Sequence, residues 1–316
     1  MSHEINSIAY VAETPWHGLG SKLPAGQSIE SWQSAAGMNW SIKETPVMYS
    51  VGAESGLHFR SSLDNKVLFR SDTHAPLSVV SNRYKPVQPK EVLEFFRSLV
   101  SAGGFELETA GSLKGGKKLW ALAKTNQQTV LKGNDKVKAY LLLATSCDGT
   151  LCTSAFFTSI RVVCANTLQL ALGESSGVVK VPHSTTFDPK AVKESLGLGL
   201  SAWDQFSRSM KALANRPVSE AEARAYLETV LGDEFEDDTK AHRPLQTIYE
   251  LFSGKGLGAD MQSARNTSWG LLNAVTEQVD RHARARSQDN RLNSAWFGAG
   301  AALKAKAFEE AMKLTA

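Results

Sequence analysis

A change in hydrophobic periodicity near residue 186 most constrains the fold of this chain. Before it, short runs alternate apolar and polar residues, which is typical of strands. After it, apolar residues recur every three or four positions, as in helices that bury one face, most clearly from Val192 to Leu213. We therefore predict an α+β chain. An antiparallel β-meander packed on helices occupies 1–186 and a mostly helical region occupies 187–316, as two domains or as one continuous domain.

Local signals predict the individual elements. Gly115-Gly116 reads as a tight hairpin, and the run at Ala165–Leu172 reads as a helix packed on the meander. Ser219–Glu222 has the pattern of a capping box. Further helices are predicted over Ser28–Ala36, from Pro89, from Asp188-Pro189, around Leu245–Leu251, from Asn266 or Thr267, and over Ala301–Leu314. The predicted strands of the meander are Phe105–Leu113, Lys117–Lys124, Val137–Thr145 and Leu151–Val163.

Composition excludes several classes of protein. The 316 residues carry a net charge of +3 and 21% charged residues, which is ordinary for a globular chain and unlike a disordered one. We find neither an apolar run long enough for a membrane span nor a signal peptide. Three cysteines, an odd number, indicate reduced thiols. We therefore expect a cytoplasmic protein with no membrane partner.

The segment from Gly111 to Tyr140 is strongly basic. It holds seven lysines against one acid, Asp135, a local charge of +6. Clustered lysines bind phosphate backbones by releasing counterions, and Trp120 and Tyr140 offer rings for stacking on bases. A solvated sheet face whose lysines protect an edge strand explains the charge equally well. The lysines are Lys114, Lys117, Lys118, Lys124, Lys132, Lys136 and Lys138.

Catalytic and metal signals are weak. Gly111–Lys118 matches most of a phosphate-loop pattern, but Lys118 stands where a hydroxyl would bind Mg²⁺, and a strand-like run follows. The seven histidines are scattered, and no CxxC pair exists. We therefore predict no catalytic residues, no metal and no cofactor, and regard a non-enzymatic role as the better interpretation.

Two further charge clusters stand in the C-terminal part. Arg281, Arg284, Arg286 and Arg291 form a basic group, which suits phosphate binding or a salt-bridged helix end. Ser219–Thr239 holds eight acids against one arginine. That acidic segment reads as a solvated helix and loop or as a contact between protomers.

Three motifs, in this order and spacing, resemble the phage/plasmid-like proteins of domain-of-unknown-function family 932. They are Pro15–Gly20, Ile160–Leu168, and Trp269–Glu277 followed by Ser294–Gly298. The resemblance spans nearly the whole chain and implies a gene carried by phages or plasmids, acting in the bacterial cytoplasm. It assigns no activity. The polar and aromatic motif residues of unknown role are Trp16, His17, Asn166, Asn273 and Glu277. Arg161, at the end of a predicted strand, suits phosphate binding or an ion pair with an acid in the core. The helical face shared by Asn273 and Glu277 suits a binding groove or hydrogen bonds to the sheet equally well.

The leading hypothesis is a nucleic-acid-binding protein, in particular an ATP-independent single-strand DNA annealing protein that forms homo-oligomers. Its predicted architecture is similar to that of the phage recombinases of the RecT, Redβ and Erf groups, by analogy of fold alone. A nucleotide-binding regulator or enzyme, and an accessory or counter-defence protein that binds a host protein, are the alternatives. The candidate nucleic-acid contacts are Lys114, Lys117, Lys118, Trp120, Lys124, Lys136, Lys138, Arg161, Arg281 and Arg284.

Overall fold

A computed structural model confirms the α+β class, with antiparallel strand pairing predominant and helices following the strands. The structure describes residues 7–11, 20–53, 56–101, 104–161, 163, 166–169, 178–197, 200–232 and 238–315. Within them, no helix is long and apolar enough to cross a membrane.

The chain divides into two compact units whose segments alternate along the sequence. Unit 1 comprises Met1–Ala123, Leu142–Ala155 and Val178–Glu194. Unit 2 comprises Lys124–Leu141, Phe156–Gly177 and Ser195–Ala316. The division at residue 186 stays a prediction.

Two sheets contain the described strands. The larger has the order β10-β9-β8-β7-β6-β1-β2, with β11 also paired to β9, and the smaller has the order β3-β4-β5. Strand β1 runs antiparallel to β6 and parallel to β2. The strands are β1 (Ser7–Val11), β2 (Ser21–Leu23), β3 (Ile42–Ala53), β4 (Gly56–Arg70), β5 (Pro76–Ser81), β6 (Phe105–Leu113), β7 (Lys118–Leu131), β8 (Asp135–Ser146), β9 (Thr153–Arg161), β10 (Asn166–Gln169) and β11 (Val178–Val181).

The four predicted meander strands are confirmed as β6 to β9, adjacent and in chain order. The helix predicted at Ala165–Leu172 is wrong for its described part. Asn166–Gln169 is strand β10, which pairs antiparallel with β9 from Asn166 opposite Arg161 to Gln169 opposite Thr158. Pairing with the open edge of β9 satisfies the backbone groups of this short segment, so tertiary context overrides its local helical pattern.

Three helices begin at or near the predicted positions, and a side chain caps each of them. Ser28 accepts a hydrogen bond from Ser31 N, Ser219 and Glu222 form a capping box, and Thr267 accepts from Gly270 N. The helices are α1 (Ile29–Ala35), α2 (Pro89–Ser101), α3 (Pro189–Gly197), α4 (Leu200–Asn215), α5 (Glu220–Leu231), α6 (Asp238–Glu250), α7 (Ser268–Glu277), α8 (Gln288–Phe297) and α9 (Ala299–Lys313). π-helical turns follow α6 at Leu251–Lys255 and α7 at Gln278–His282.

Aromatic side chains fill the core of each unit. In unit 1, Phe95 and Phe96 of α2 are fully buried and meet edge to face at 5.1 Å between ring centroids. In unit 2, Phe206 of α4 lies between Trp203 and Phe308, with ring centroids 5.8 and 5.5 Å away. Burial of these rings removes much of the apolar surface of the amphipathic helices from water.

The tip of the β6–β7 hairpin packs tightly inside unit 1. The guanidinium of Arg70 stacks on Trp40, with Cζ 4.2 Å from the ring centroid. Its Nη1 donates to the carbonyl of Gly115 at 3.3 Å. Gly116 has φ +99, and a Cβ there would lie 2.8 Å from Cζ2 of Trp40. Cys147 N also donates to the carbonyl of Lys117 at 2.9 Å. The tip is therefore anchored to the core of unit 1.

Gly116→Ala is expected to destabilise the chain more than Gly115→Ala. Both residues have positive φ, which costs an L-residue about 1–2 kcal/mol. Only Gly116 also lacks room for a Cβ, whereas nothing lies within 4 Å of a Cβ at Gly115. We expect Gly116→Ala to lose at least about 1 kcal/mol more in urea unfolding. Equal losses would contradict the packing described for the tip.

Candidate nucleic-acid interface

A buried ion pair joins strands β8 and β9 in unit 2. Asp135 begins β8 and Arg161 ends β9, and their side chains are 0% and 2% exposed. Nε of Arg161 donates to Oδ1 of Asp135 at 3.0 Å and to Oδ2 at 2.9 Å. Arg161 is therefore neutralised in the interior and does not present its charge to phosphate.

The remaining polar atoms of this pair also have partners. Oδ2 of Asp135 accepts from Ser263 Oγ at 2.6 Å and from Trp269 Nε1 at 3.1 Å. Nη2 of Arg161 donates to the carbonyl of Gly258 at 3.0 Å. Since a buried pair is tolerated only when such bonds offset the loss of hydration, the network holds the segment before α7 against the strands.

Glu277 also binds the segment that precedes α7. This carboxylate is 4% exposed, and its Oε2 accepts from Leu257 N at 2.9 Å. Gly258 has φ +69, and a Cβ there would lie 2.8 Å from Cγ1 of Val163. Asn273 is buried too, and its Nδ2 donates to the carbonyl of Trp269 at 2.8 Å. These contacts favour a structural role for the polar face of α7 over a binding groove.

A second buried pair lies near the arginine group. Nζ of Lys304 donates to Oδ1 of Asp280 at 2.7 Å, with side-chain exposures of 4% and 1%. Asp289, at the start of α8, is also 1% exposed. Together with Glu277, all three acids between residues 277 and 291 are therefore withdrawn from the surface.

The β7–β8 turn and the first residues of β8 expose lysines to solvent and bury their one acid. Lys132 and Lys136 are exposed and Lys138 is half-buried, while Asp135, Val137 and Ala139 are buried. This alternation places Lys136 and Lys138 on one face of β8, away from Asp135. We call Lys132, Lys136 and Lys138 the lysine face.

The arginine segment, residues 281–291, also presents cations to solvent. Arg284 and Arg286 are exposed, and Arg281 and Arg291 are half-buried. His282 is 45% exposed and its Nε2 lies 3.6 Å from Oε1 of Glu277. The exposed side chains of this segment therefore carry positive charge without an exposed acid among them.

The other predicted contact residues of Gly111–Tyr140 are buried or half-buried. Lys118, Trp120 and Tyr140 are 4%, 1% and 3% exposed, so neither ring offers a stacking platform. Burial, with Lys114 as a further cause, lowers the pKa of Lys118. Lys114, Lys117 and Lys124 are half-buried.

The motif residues at the N-terminus and in β10 cannot be placed in the interface. Trp16 and His17 lie outside the described residues, and so does the side chain of Asn166. Strand β7 begins at Lys118, which agrees with the strand expected there in place of the helix of a phosphate loop. In the described part of the chain, no group of three or more His, Cys, Asp or Glu side chains is arranged to hold a metal ion.

Comparison with known families identifies the chain. The model of a domain of unknown function, DUF932, matches residues 76–296. The chain belongs to this family. The DUF932 match runs from the start of β5 into α8, so it includes Asp135, Arg161 and the lysine face. No curated protein and no solved structure matches the chain significantly.

Sequence reasoning missed the role of Asp135. It appeared only as the one acid among seven lysines, and its charge was counted with the surface. The signal in the sequence was that Asp135 is the one acid in a basic strand, at a position that alternates with lysines and so faces the core. A buried carboxylate there needs a cation or hydrogen-bond donors in the interior. That cation, Arg161, is 26 residues away in sequence.

Asp135→Asn is expected to destabilise the chain strongly. The substitution leaves the buried guanidinium of Arg161 without a counter-charge, which typically costs about 3–5 kcal/mol. Combining it with Arg161→Met should recover part of that loss, because the uncompensated charge is then absent. Urea unfolding of the two single variants and the double variant measures both effects. A loss below about 1 kcal/mol for Asp135→Asn would contradict the central role of the pair.

Proposed function

We propose that this chain binds nucleic acid through phosphate contacts of the lysine face, with the arginine segment as a second region of contact. One observation carries the proposal. In both regions the acids are buried and the exposed charges are cationic. The one acid of the lysine segment, Asp135, is buried, so it does not neutralise the exposed lysines at the surface.

Spacing along β8 suits a phosphate backbone. Alternate residues of a strand lie about 6.7 Å apart, which separates Lys136 from Lys138. Each lysine also has a flexible four-carbon stem that lets its ammonium group move relative to the backbone. The two ammonium groups can therefore contact neighbouring phosphates of the same strand.

The burial of Trp120 and Tyr140 supports a finer proposal, strand annealing without nucleotide hydrolysis. Because Trp120 and Tyr140 are buried, neither ring can stack on a bound base. A surface that contacts only phosphates then leaves the bases free to pair with a second strand. Annealing is thermodynamically downhill, so the protein has only to align the strands and screen their repulsion. Phosphate contacts carry no sequence information, so we expect binding independent of sequence.

The cellular setting is part of the proposal. The odd cysteine count and the family resemblance support action in the cytoplasm of a bacterial cell, on single-stranded DNA from a phage or plasmid. Burial also raises the pKa of the Cys147 thiol to about 12, so this side chain stays neutral at cellular pH. Its Sγ donates to the carbonyl of Lys117 at 3.4 Å.

Charge reversal of the lysine face is expected to weaken binding at least tenfold. The variant is Lys132→Glu, Lys136→Glu and Lys138→Glu together, tested by fluorescence anisotropy at fixed salt with a labelled single-stranded oligonucleotide and nucleic-acid-free protein. Three lost phosphate contacts should also reduce the slope of log K against log salt by about 2.

A matched control makes three identical changes elsewhere. Lys90, Lys190 and Lys211 are exposed on helices outside both basic regions, so their replacement by Glu gives the same net charge. The control should bind nearly as tightly as the original chain. Equal losses in the two triple variants would attribute binding to net charge alone and contradict the assignment to the lysine face.

A further inference from the structure

The distal part of the β3–β4 hairpin extends beyond the core of unit 1. From Met48 to Gly52 on β3 and from His58 to Ser61 on β4, every residue is exposed. We call Met48–Ala53 with Gly56–Ser61 the ribbon. A two-stranded ribbon with both faces in water is at best marginally stable, which indicates that a further contact stabilises it.

Large apolar side chains cover both faces of the ribbon and its base. The exposed fractions are 57% for Met48, 52% for Tyr49, 44% for Val51, 65% for Phe59 and, at the base, 85% for Leu63. At about 150–250 Å² for a large side chain, this amounts to on the order of 500 Å² of exposed apolar surface. This area is divided between the two faces and the base, and it is comparable in total to the largest apolar patch of a typical monomer, about 300–600 Å², which is often functional.

Among the described residues, no strand pairs with the outer edge of β3, and its protective features, Pro46 and the bulge that follows it, lie toward the inner end of the strand. β3 is the terminal strand of its sheet, and Val47–Ala53 contains neither a charged residue nor a proline. Natural edge strands usually carry lysines, prolines or bulges that prevent pairing with another chain. The edge is therefore suited to accept one more strand.

Charge argues against nucleic acid as the occupant. Between Met48 and Ser61, one acid, Glu54, is matched by one arginine, Arg60, so this stretch has no net positive charge. Phosphate backbones require cations. The ribbon is therefore suited to contact protein.

The pattern of β3 is complementary to itself. The register pairs Tyr49 with Arg60 and Val51 with His58, so Tyr49 and Val51 point to the same face. If two β3 strands pair antiparallel around Ser50, Tyr49 of each copy lies opposite Val51 of the other. Two aromatic–β-branched pairs then form, which are favourable cross-strand pairs, and no like charges face each other.

We propose that the ribbon is a self-association arm, in which β3 pairs antiparallel with β3 of a second copy about a twofold axis at Ser50. Such an interface uses the same surface on both copies and closes as a dimer. It joins the two three-stranded sheets into one of six strands. This contact is independent of the lysine face.

Two variants test the arm. Val51→Lys places a charge at the paired edge, and Val79→Lys places the same charge on β5, at the other edge of the sheet, where Val79 is 60% exposed. Sedimentation velocity between about 1 and 100 μM should show a dimer for the original chain and for Val79→Lys. We expect the dimer dissociation constant of Val51→Lys to rise at least tenfold. A chain that is monomeric throughout this range, or a Val51→Lys dimer of unchanged affinity, would overturn the proposal.

Cysteine cross-linking tests the register. Ser50→Cys places the thiols of the two copies directly opposite, where Cβ atoms of paired strands lie about 5 Å apart. Ser61→Cys lies on the same face but on β4, one strand further from the axis. Mild oxidation should yield a covalent dimer from Ser50→Cys above the background of the original chain, and none from Ser61→Cys. Equal cross-linking of both variants would contradict the proposed register.

Discussion

The buried ion pair between Asp135 and Arg161 organises unit 2. It sits where β8 begins and β9 ends, and its hydrogen bonds extend to Gly258, Ser263 and Trp269. Removing two charges from water is costly, so such a pair persists only when nearly every lone pair and N–H has a partner. Here those partners come from the segment that precedes α7 and from the first turn of α7, so satisfying the pair also fixes these elements against the strands.

The same pair determines which charges reach the surface. A strand alternates its side chains between two faces, so an acid fixed inside at Asp135 directs Lys136 and Lys138 outward. Asp280 is likewise held inside by Lys304, near arginines that are exposed. A chain with a net charge of only +3 can therefore present local surfaces that are strongly cationic.

Elements with strong local signals were predictable from sequence. Ser28, Ser219 and Thr267 cap helices because their side chains satisfy backbone N–H groups within three residues, which requires no tertiary information. Strand β10 was not predictable, since its four residues become a strand only by pairing with β9. The ribbon was not predictable either, because alternation reflects burial of one face and the described residues of the ribbon have neither face buried. The candidate site was half predictable: lysines visible as a charge cluster were found, whereas burial of Lys118, Trp120 and Arg161 depends on contacts distant in sequence.

We propose that exposed cations of unit 2 hold a nucleic-acid backbone. The most direct test is the binding of the intact chain to labelled single-stranded and duplex oligonucleotides, followed by anisotropy across a salt series. We expect tighter binding to single strands and a linear fall of log K with log salt, with a slope near −2 or steeper for three or more phosphate contacts. Absence of binding at low salt, or binding insensitive to salt, would contradict the proposal.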